Sequence, residues 1–180
     1  MTAPPNSPKQ NVELKARLPN LDQTRRIAER LATERLPDQH QLDTYFVCRQ
    51  GRLKLREING QRAELIGYER ADQAEPKPCR YHLVPVADPA GLKQLLAATL
   101  GIRLVVDKHR EIYLHHNVRI HLDRVAGLGT FLEFEAVLGP EIDAARGQQQ
   151  VHFLRAAFGI EASDLLTGSY ADLAEAASQE

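Results

Sequence analysis

The chain has only two cysteines, few aromatic residues and almost no net charge. Cys48 and Cys79 form no CxxC pair and give no zinc-ligand spacing, so a reduced, cytoplasmic setting is expected. No stretch approaches the ~20 apolar residues of a spanning helix, and no membrane partner is expected. The opening Met1-Thr2-Ala3-Pro4-Pro5-Asn6-Ser7-Pro8 offers no hydrophobic segment for a signal peptide, and residues 1–9 read as a disordered leader. Twenty-three Lys and Arg against 24 Asp and Glu leave a net charge of -1, which argues against bulk attraction to nucleic acid. Any strong field must therefore be local. GxxxxGK[ST] and GxSxG are both missing, which removes the P-loop and the nucleophile elbow as starting points.

Short strands with segregated charge are present instead. Asn11-Val12-Glu13-Leu14-Lys15-Ala16-Arg17-Leu18 alternates, with Val12, Leu14, Ala16 and Leu18 on one side and Glu13, Lys15 and Arg17 on the other. Arg52–Arg56, Val118–Asp123 and Leu132–Val137 repeat the pattern. A period of two sends successive side chains to opposite faces, so each strand has one charged and one apolar face. The charged faces differ in sign: Lys54 with Arg56 and Lys108 with Arg110 are basic pairs, whereas Glu133 with Glu135 is acidic. The solvated face of an antiparallel sheet explains any one strand. Segregation into basic and acidic sets suits a site for a polyanion and its metal ions.

A coarse reading places strands at 10–18, 42–48, 51–58, 62–69, 80–86, 102–115, 117–124 and 130–138. Helices are expected at 21–35, opened by Asp22 and closed before Pro37, and at 88–100, with Asp88 as cap, Pro89 first and Gly101 beyond the end. Asn59-Gly60 is a strong hairpin signal between two of the strands. Residues 71–79 read as a loop. The tail from Pro140 to about residue 176 reads as helical, through Val151, Leu154, Phe158 and Leu165. The expected fold class is α+β: one domain over 10–180, in which an eight-stranded antiparallel barrel (10–138) encloses the charged faces, with helices outside and a helical tail. Periodicity alone leaves an open sheet as the alternative.

The ordered residues resemble the CYTH superfamily, the triphosphate tunnel metalloenzymes. Glu13-Leu14-Lys15 is similar to the latter part of its ExExK signature. The likeness continues through Asp43–Phe46, Gly51–Arg56, Tyr68-Glu69-Arg70, Lys108-His109-Arg110 and Arg119–Asp123, and closes on Gly127–Glu135. Gly168–Leu173 is similar to the family's C-terminal end. Asn11 departs from it, standing where the first glutamate of ExExK is expected. The run Gly51 to Glu57, the Asp43-Tyr45-Phe46 strand and the GLGxF-like closing turn most resemble the class IV adenylyl cyclase-like branch.

That resemblance implies an enzyme acting on a small-molecule triphosphate (ATP, inorganic triphosphate or thiamine triphosphate) with Mg2+ or Mn2+. ATP would be cyclised to cyclic AMP and pyrophosphate. Hydrolysis of a triphosphate is one alternative and a non-catalytic nucleotide-binding module another; a homodimer is open to it. Phosphate contact falls to Lys15, Lys54, Arg56, Arg70, Lys108, Arg110 and Arg119, with Lys108 and Arg110 the candidates for a catalytic role, since arginine forks and lysine ammonium groups hold phosphate oxygens. Metal ligation falls to Glu13, Asp123, Glu133 and Glu135, because Mg2+ and Mn2+ take carboxylates alongside phosphates and water. Glu133 and Glu135 stand about 7 Å apart along one strand face. His121 shares the face of Arg119 and Asp123, and either lines the cavity or touches ligand. Arg17 and Arg52 read as surface cations.

Overall fold

The computed structural model describes residues 8–178, with the side chain of Arg70 outside the description. The leader expected over 1–9 lies outside the described residues through Ser7, and Lys9 already belongs to the first strand.

Eight strands close into an antiparallel barrel. They are β1 (Lys9–Arg17), β2 (Glu34–Phe46), β3 (Arg52–Ile58), β4 (Arg62–Arg70), β5 (Lys77–Val86), β6 (Ile102–His115), β7 (Val118–Val125) and β8 (Gly129–Val137). The order around the barrel is β1-β5-β4-β3-β2-β6-β7-β8, so β1 closes the ring between β5 and β8. Closure removes both sheet edges and gives every strand an inner face. At Asn59 (φ 53°) and Gly60 (φ 63°) two successive left-handed residues turn the β3–β4 hairpin, as the dipeptide predicts.

Helices cover the outside. On β1, β7 and β8 the outward residues Leu14, Ile120, Leu132 and Phe134 pack under α1 (Leu21–Leu31) and α3 (Ala144–Ala157), which contributes Val151 and Leu154. Gly147 lets α3 sit close: a Cβ there would stand 2.8 Å from Leu138 Cδ2 and 3.2 Å from Val12 Cγ2. A smaller cluster of Phe46, Leu55 and Ala63 lies under Leu92 and Leu96 of α2 (Pro89–Leu100). The tail returns to one end of the barrel, where Tyr170 and Ala171 of α4 (Tyr170–Ala177) pack on Tyr45, Val106, Val125 and Phe131. Among the described residues no helix is long and apolar enough to cross a membrane.

Several boundaries differ from the sequence reading, each for a local reason. The cap of α1 is Asn20, whose side chain accepts from the Gln23 N–H at 3.0 Å, while Asp22 sits inside the first turn. The helix stops at Leu31 because Thr33 and the residues after it join β6: Thr33 N–H donates to the Leu114 carbonyl at 2.7 Å. Pro37, which donates no hydrogen bond, falls inside β2 at a register shift between Leu36 and Gln39. The expected loop 71–79 ends early, since Lys77, Pro78 and Cys79 pair with Glu13, Val12 and Asn11. The tail is α3, a 3₁₀ turn at Ala162–Asp164 and α4 rather than one helical run.

Truncating a fully buried helix residue tests which contacts hold this shell. Leu154→Ala is expected to cost about 2–5 kcal/mol in urea unfolding, whereas the exposed Leu95→Ala on α2 should stay within about 0.5 kcal/mol of the parent. Equal effects would contradict the packing described.

Candidate active site

The inner faces converge on one cavity of about 120 Å³. Glu13 and Lys15 reach it from β1, Lys54 and Arg56 from β3, Lys108 and Arg110 from β6, Arg119 from β7, and Glu133 and Glu135 from β8. Arg56 and Glu133, far apart in sequence, share its wall. Asp123 lies behind Arg110, fully buried. Arg70 ends β4, and its side chain is outside the described residues. Arg17 and Arg52 are turned to other work: Arg17 donates to the Leu128 carbonyl at 3.3 Å, and Arg52 pairs with Asp72 and Asp172 at 2.8 and 3.0 Å.

The cavity is small because its charged side chains reach across and pair; small-molecule pockets usually run to about 300–1,000 Å³. Asp43 on β2 takes Arg56 through two hydrogen bonds of 2.7 and 2.8 Å, and Lys54 at 2.9 Å. Asp123 takes Arg110 in the same forked way at 2.7 and 2.6 Å. Glu133 receives Lys15 at 2.8 Å and Arg110 at 2.8 Å. Lys108 Nζ stands 3.6 Å from Asp43 and 3.9 Å from Asp123. Burial alone would raise each carboxyl, but the cations win. Arg56, Lys54 and Lys108 hold Asp43 well below the usual carboxylate range, and Arg110 with Lys108 does the same for Asp123. Lys108 moves the other way: burial and Arg110 push its ammonium down, against the pull of the aspartates.

Beside these pairs lies an arrangement suited to a cation. Ligand atoms of His121, Glu133 and Glu135 all fall within 4.8 Å of one another. His121 Nδ1 is 3.4 Å from Glu133 and 3.9 Å from Glu135. Burial and Arg110 lower the His121 pKa, which leaves a neutral imidazole available to donate a lone pair. Glu13 stands directly opposite Glu135 across β1 and β8. Like charges in that register destabilise a sheet unless cations lie close by, and Lys77 of β5 stands opposite Glu13 on its other side. The donor set of carboxylates and an imidazole fits a divalent ion, so Glu133, Glu135 and His121, with Glu13 adjacent, are the residues that would hold one. Asp123, expected among these ligands, has both oxygens committed to Arg110, and Oδ2 also accepts from the Tyr170 hydroxyl at 2.6 Å.

Sequence reasoning gave no role to Asp43 or Tyr170. Asp43 has the strand parity of Tyr45, which also lines the cavity, and faces Arg56 in the β2–β3 register, so its alternation was available as a signal. Tyr170 comes from outside the barrel, and no periodicity announces it. Its ring lies 3.7 Å from Lys15 Nζ, in cation–π contact.

The chain belongs to the CYTH family, whose domain matches residues 9–170. Among solved structures it is similar to the PH1012 protein of Pyrococcus horikoshii OT3, at 26% identity and TM-score 0.80, covering 91% of this chain and 98% of that one. A Vibrio parahaemolyticus protein with a provisional adenylate cyclase assignment shares 21% identity at TM-score 0.76, over 94% and 99% of the two chains. The Hippeastrum protein HpAC1, provisionally an adenylyl cyclase and described as having a dominant triphosphatase activity, shares 14% identity at TM-score 0.61, over 88% and 91%. No curated protein sequence matches. Members of the family act on triphosphates and depend on divalent cations.

The paired carboxylates should leave a pH signature. Their folded pKa values are depressed, so their stabilisation is complete above the unfolded value near about 4 and is lost as pH falls towards the folded values. Asp43→Asn strands Lys54 and Arg56 in the interior and should cost about 3–5 kcal/mol at pH 7. That cost should shrink by about 1.4 kcal/mol per pH unit below pH 4. Urea titrations at pH 7 and pH 3 measure it, and a cost unchanged between them contradicts the pairing.

Proposed function

We propose that this chain is a divalent-metal-dependent enzyme that breaks a phosphoanhydride bond of a triphosphate bound inside the barrel. The observation that carries the reading is the meeting of Lys15, Lys54, Arg56, Lys108, Arg110 and Arg119 in one cavity with Glu13, Glu133 and Glu135. Arg70 belongs to the same proposed phosphate set by its place in the motif series.

The residues divide the work. Arg56 and Arg110 bind phosphate oxygens through their guanidinium forks, and Lys15 and Lys54 add point charges on either side. Together they orient the phosphate chain along the barrel and stabilise charge that develops on the leaving oxygens during in-line displacement. Lys108 and Arg110, both buried, face that developing charge. A divalent ion, when bound, supplies further charge neutralisation at the reacting phosphorus. The barrel wall and α4 keep bulk water away.

The branch resemblance favours cyclisation: the ribose 3′-oxygen bonds to the α-phosphorus, the bond to the β-phosphate oxygen breaks, pyrophosphate leaves and the hydroxyl proton passes to a base. The second reading is hydrolysis, in which water bonds to a phosphorus, the bond to the adjoining bridging oxygen breaks, the remaining phosphate chain leaves and the water's proton passes to a base; the activity described for the Hippeastrum relative favours it. Both use the same grip and differ in how far the phosphate chain slides along it.

Incubation with ATP, inorganic triphosphate and thiamine triphosphate in Mg2+ or Mn2+, followed by phosphate assay and chromatography, tests the proposal. Metal-dependent turnover of at least one is expected; cyclic AMP with pyrophosphate marks cyclisation, and phosphate without cyclic AMP marks hydrolysis. Micromolar binding with no turnover would make the chain a binding module and overturn the enzymatic reading. Arg56→Ala is expected to raise the substrate requirement about 10- to 100-fold, the loss of one charge-assisted hydrogen-bonding group. Glu133→Gln should instead shift the metal titration to higher concentration.

A further inference from the structure

The acids of the candidate cation site are already answered by bases, and this bears on which ion the site takes. Glu133 receives Lys15 and Arg110, Glu135 has Arg119 Nη1 at 3.6 Å, and Glu13 stands opposite Lys77 as well as Glu135. Charge alone therefore attracts a divalent ion weakly there, and Mg2+ depends on charge and on oxygen ligands. A nitrogen donor changes the balance, because an imidazole adds more affinity for a first-row transition ion than for Mg2+.

His121 is that donor. The chain's seven histidines all fall within the described residues, and His121 is the one that is buried. Its register partner on β8 is Glu133, and its Nδ1 lies 3.4 Å from that carboxylate and 3.9 Å from Glu135. Ligand atoms of the three side chains lie within 4.8 Å of one another. Two atoms bound to one first-row ion stand up to about 4.4 Å apart, twice a bond of about 2.2 Å, so small rotations suffice. With Nδ1 turned to an ion, the ring proton sits on Nε2.

A separate observation points to the same place. Asn11, two residues before Glu13 on β1, is 4% exposed and lines the cavity together with Glu133 and Glu135. Its Oδ1 is buried with no hydrogen-bond partner among the described residues. Water carried by a bound ion supplies the donor that this acceptor lacks.

We propose that His121 is a nitrogen ligand beside Glu133 and Glu135, and that it makes the centre selective for a first-row transition ion, Mn2+ or Co2+, over Mg2+. This rests on the metal-dependent triphosphate reading above.

Electron spin echo modulation of one equivalent of Mn2+ reads the ligands directly, in the presence of a triphosphate whose bridging oxygens are replaced by methylene groups. That analogue resists cleavage and carries no nitrogen. Modulation from both phosphorus and nitrogen nuclei on the same ion is expected. Phosphorus without nitrogen would overturn the inference and leave the triphosphate reading standing. Nitrogen without phosphorus puts the ion on an outer histidine and would overturn it too. No bound ion at all would overturn both. Calorimetric titration of Mg2+, Mn2+ and Co2+ into the same complex reads the preference. Mn2+ and Co2+ should bind about tenfold or more tighter than Mg2+. His121→Gln should weaken each of those two by about tenfold or more while leaving Mg2+ within about threefold. Equal losses for all three ions would give His121 a structural role and overturn the inference. Where His121→Gln does not fold, the spin echo of the unaltered protein still decides.

Discussion

Lys15, Lys54, Arg56, Lys108 and Arg110 crowd the interior of one small barrel, and their neutralisation is the constraint on which the rest of the structure depends. Asp43, Asp123 and Glu133 supply it through short hydrogen bonds to Lys54, Arg56, Arg110 and Lys15. Buried ion pairs of this kind add little net stability over apolar packing, but removing one partner is expensive. The stability of the fold must come largely from outside the ring, where α1 and α3 bury the outward faces of β1, β7 and β8. This separation lets the interior be built for a ligand rather than for folding.

The tail ties the two layers together. Leu166 N–H donates to the Lys15 carbonyl at 2.9 Å, and the buried Lys77 donates to the carbonyls of Leu166 and Thr167 at 3.5 Å. Arg103 and Arg52 then hold Asp172 at the start of α4, which seats Tyr170 against Asp123 and Lys15. One end of the barrel is thus filled by an aromatic ring that touches both an acid and a base of the ring of charges. The position of Tyr170 is set by ion pairs on the outside and read out by charges on the inside.

Much of this was legible in the chain itself. The alternation of β1, β3, β7 and β8 gave the faces, Asn59-Gly60 gave a hairpin, and Asp88-Pro89 with Gly101 gave the limits of α2. The closed barrel was the expected fold and is the one found, but periodicity alone did not require it, because the β1–β5 and β1–β8 pairings are long-range contacts and alternation reads alike in an open sheet. The early start of β2 was hidden by Pro37, which marks a helix end in sequence and a register shift in the barrel. Among the site residues, Glu13, Lys15 and the basic pairs could be read from strand parity. The role of Asp43 depends on its facing Arg56 across a hairpin, and that of Tyr170 on the path of the tail.

If the internal carboxylates are placeholders for a polyanion, the ligand must exchange with them: phosphate oxygens take over Arg56, Arg110, Lys15 and Lys54, and Glu133 turns from its cations towards a metal. A crystal structure with imidotriphosphate and Mn2+ tests that exchange most directly. The account predicts anion density among those four side chains and an anomalous manganese peak beside Glu133, Glu135 and His121, with the Lys15–Glu133 contact broken. An empty barrel at saturating ligand, with the Asp43 and Glu133 pairs unchanged and the anion bound elsewhere, would contradict it.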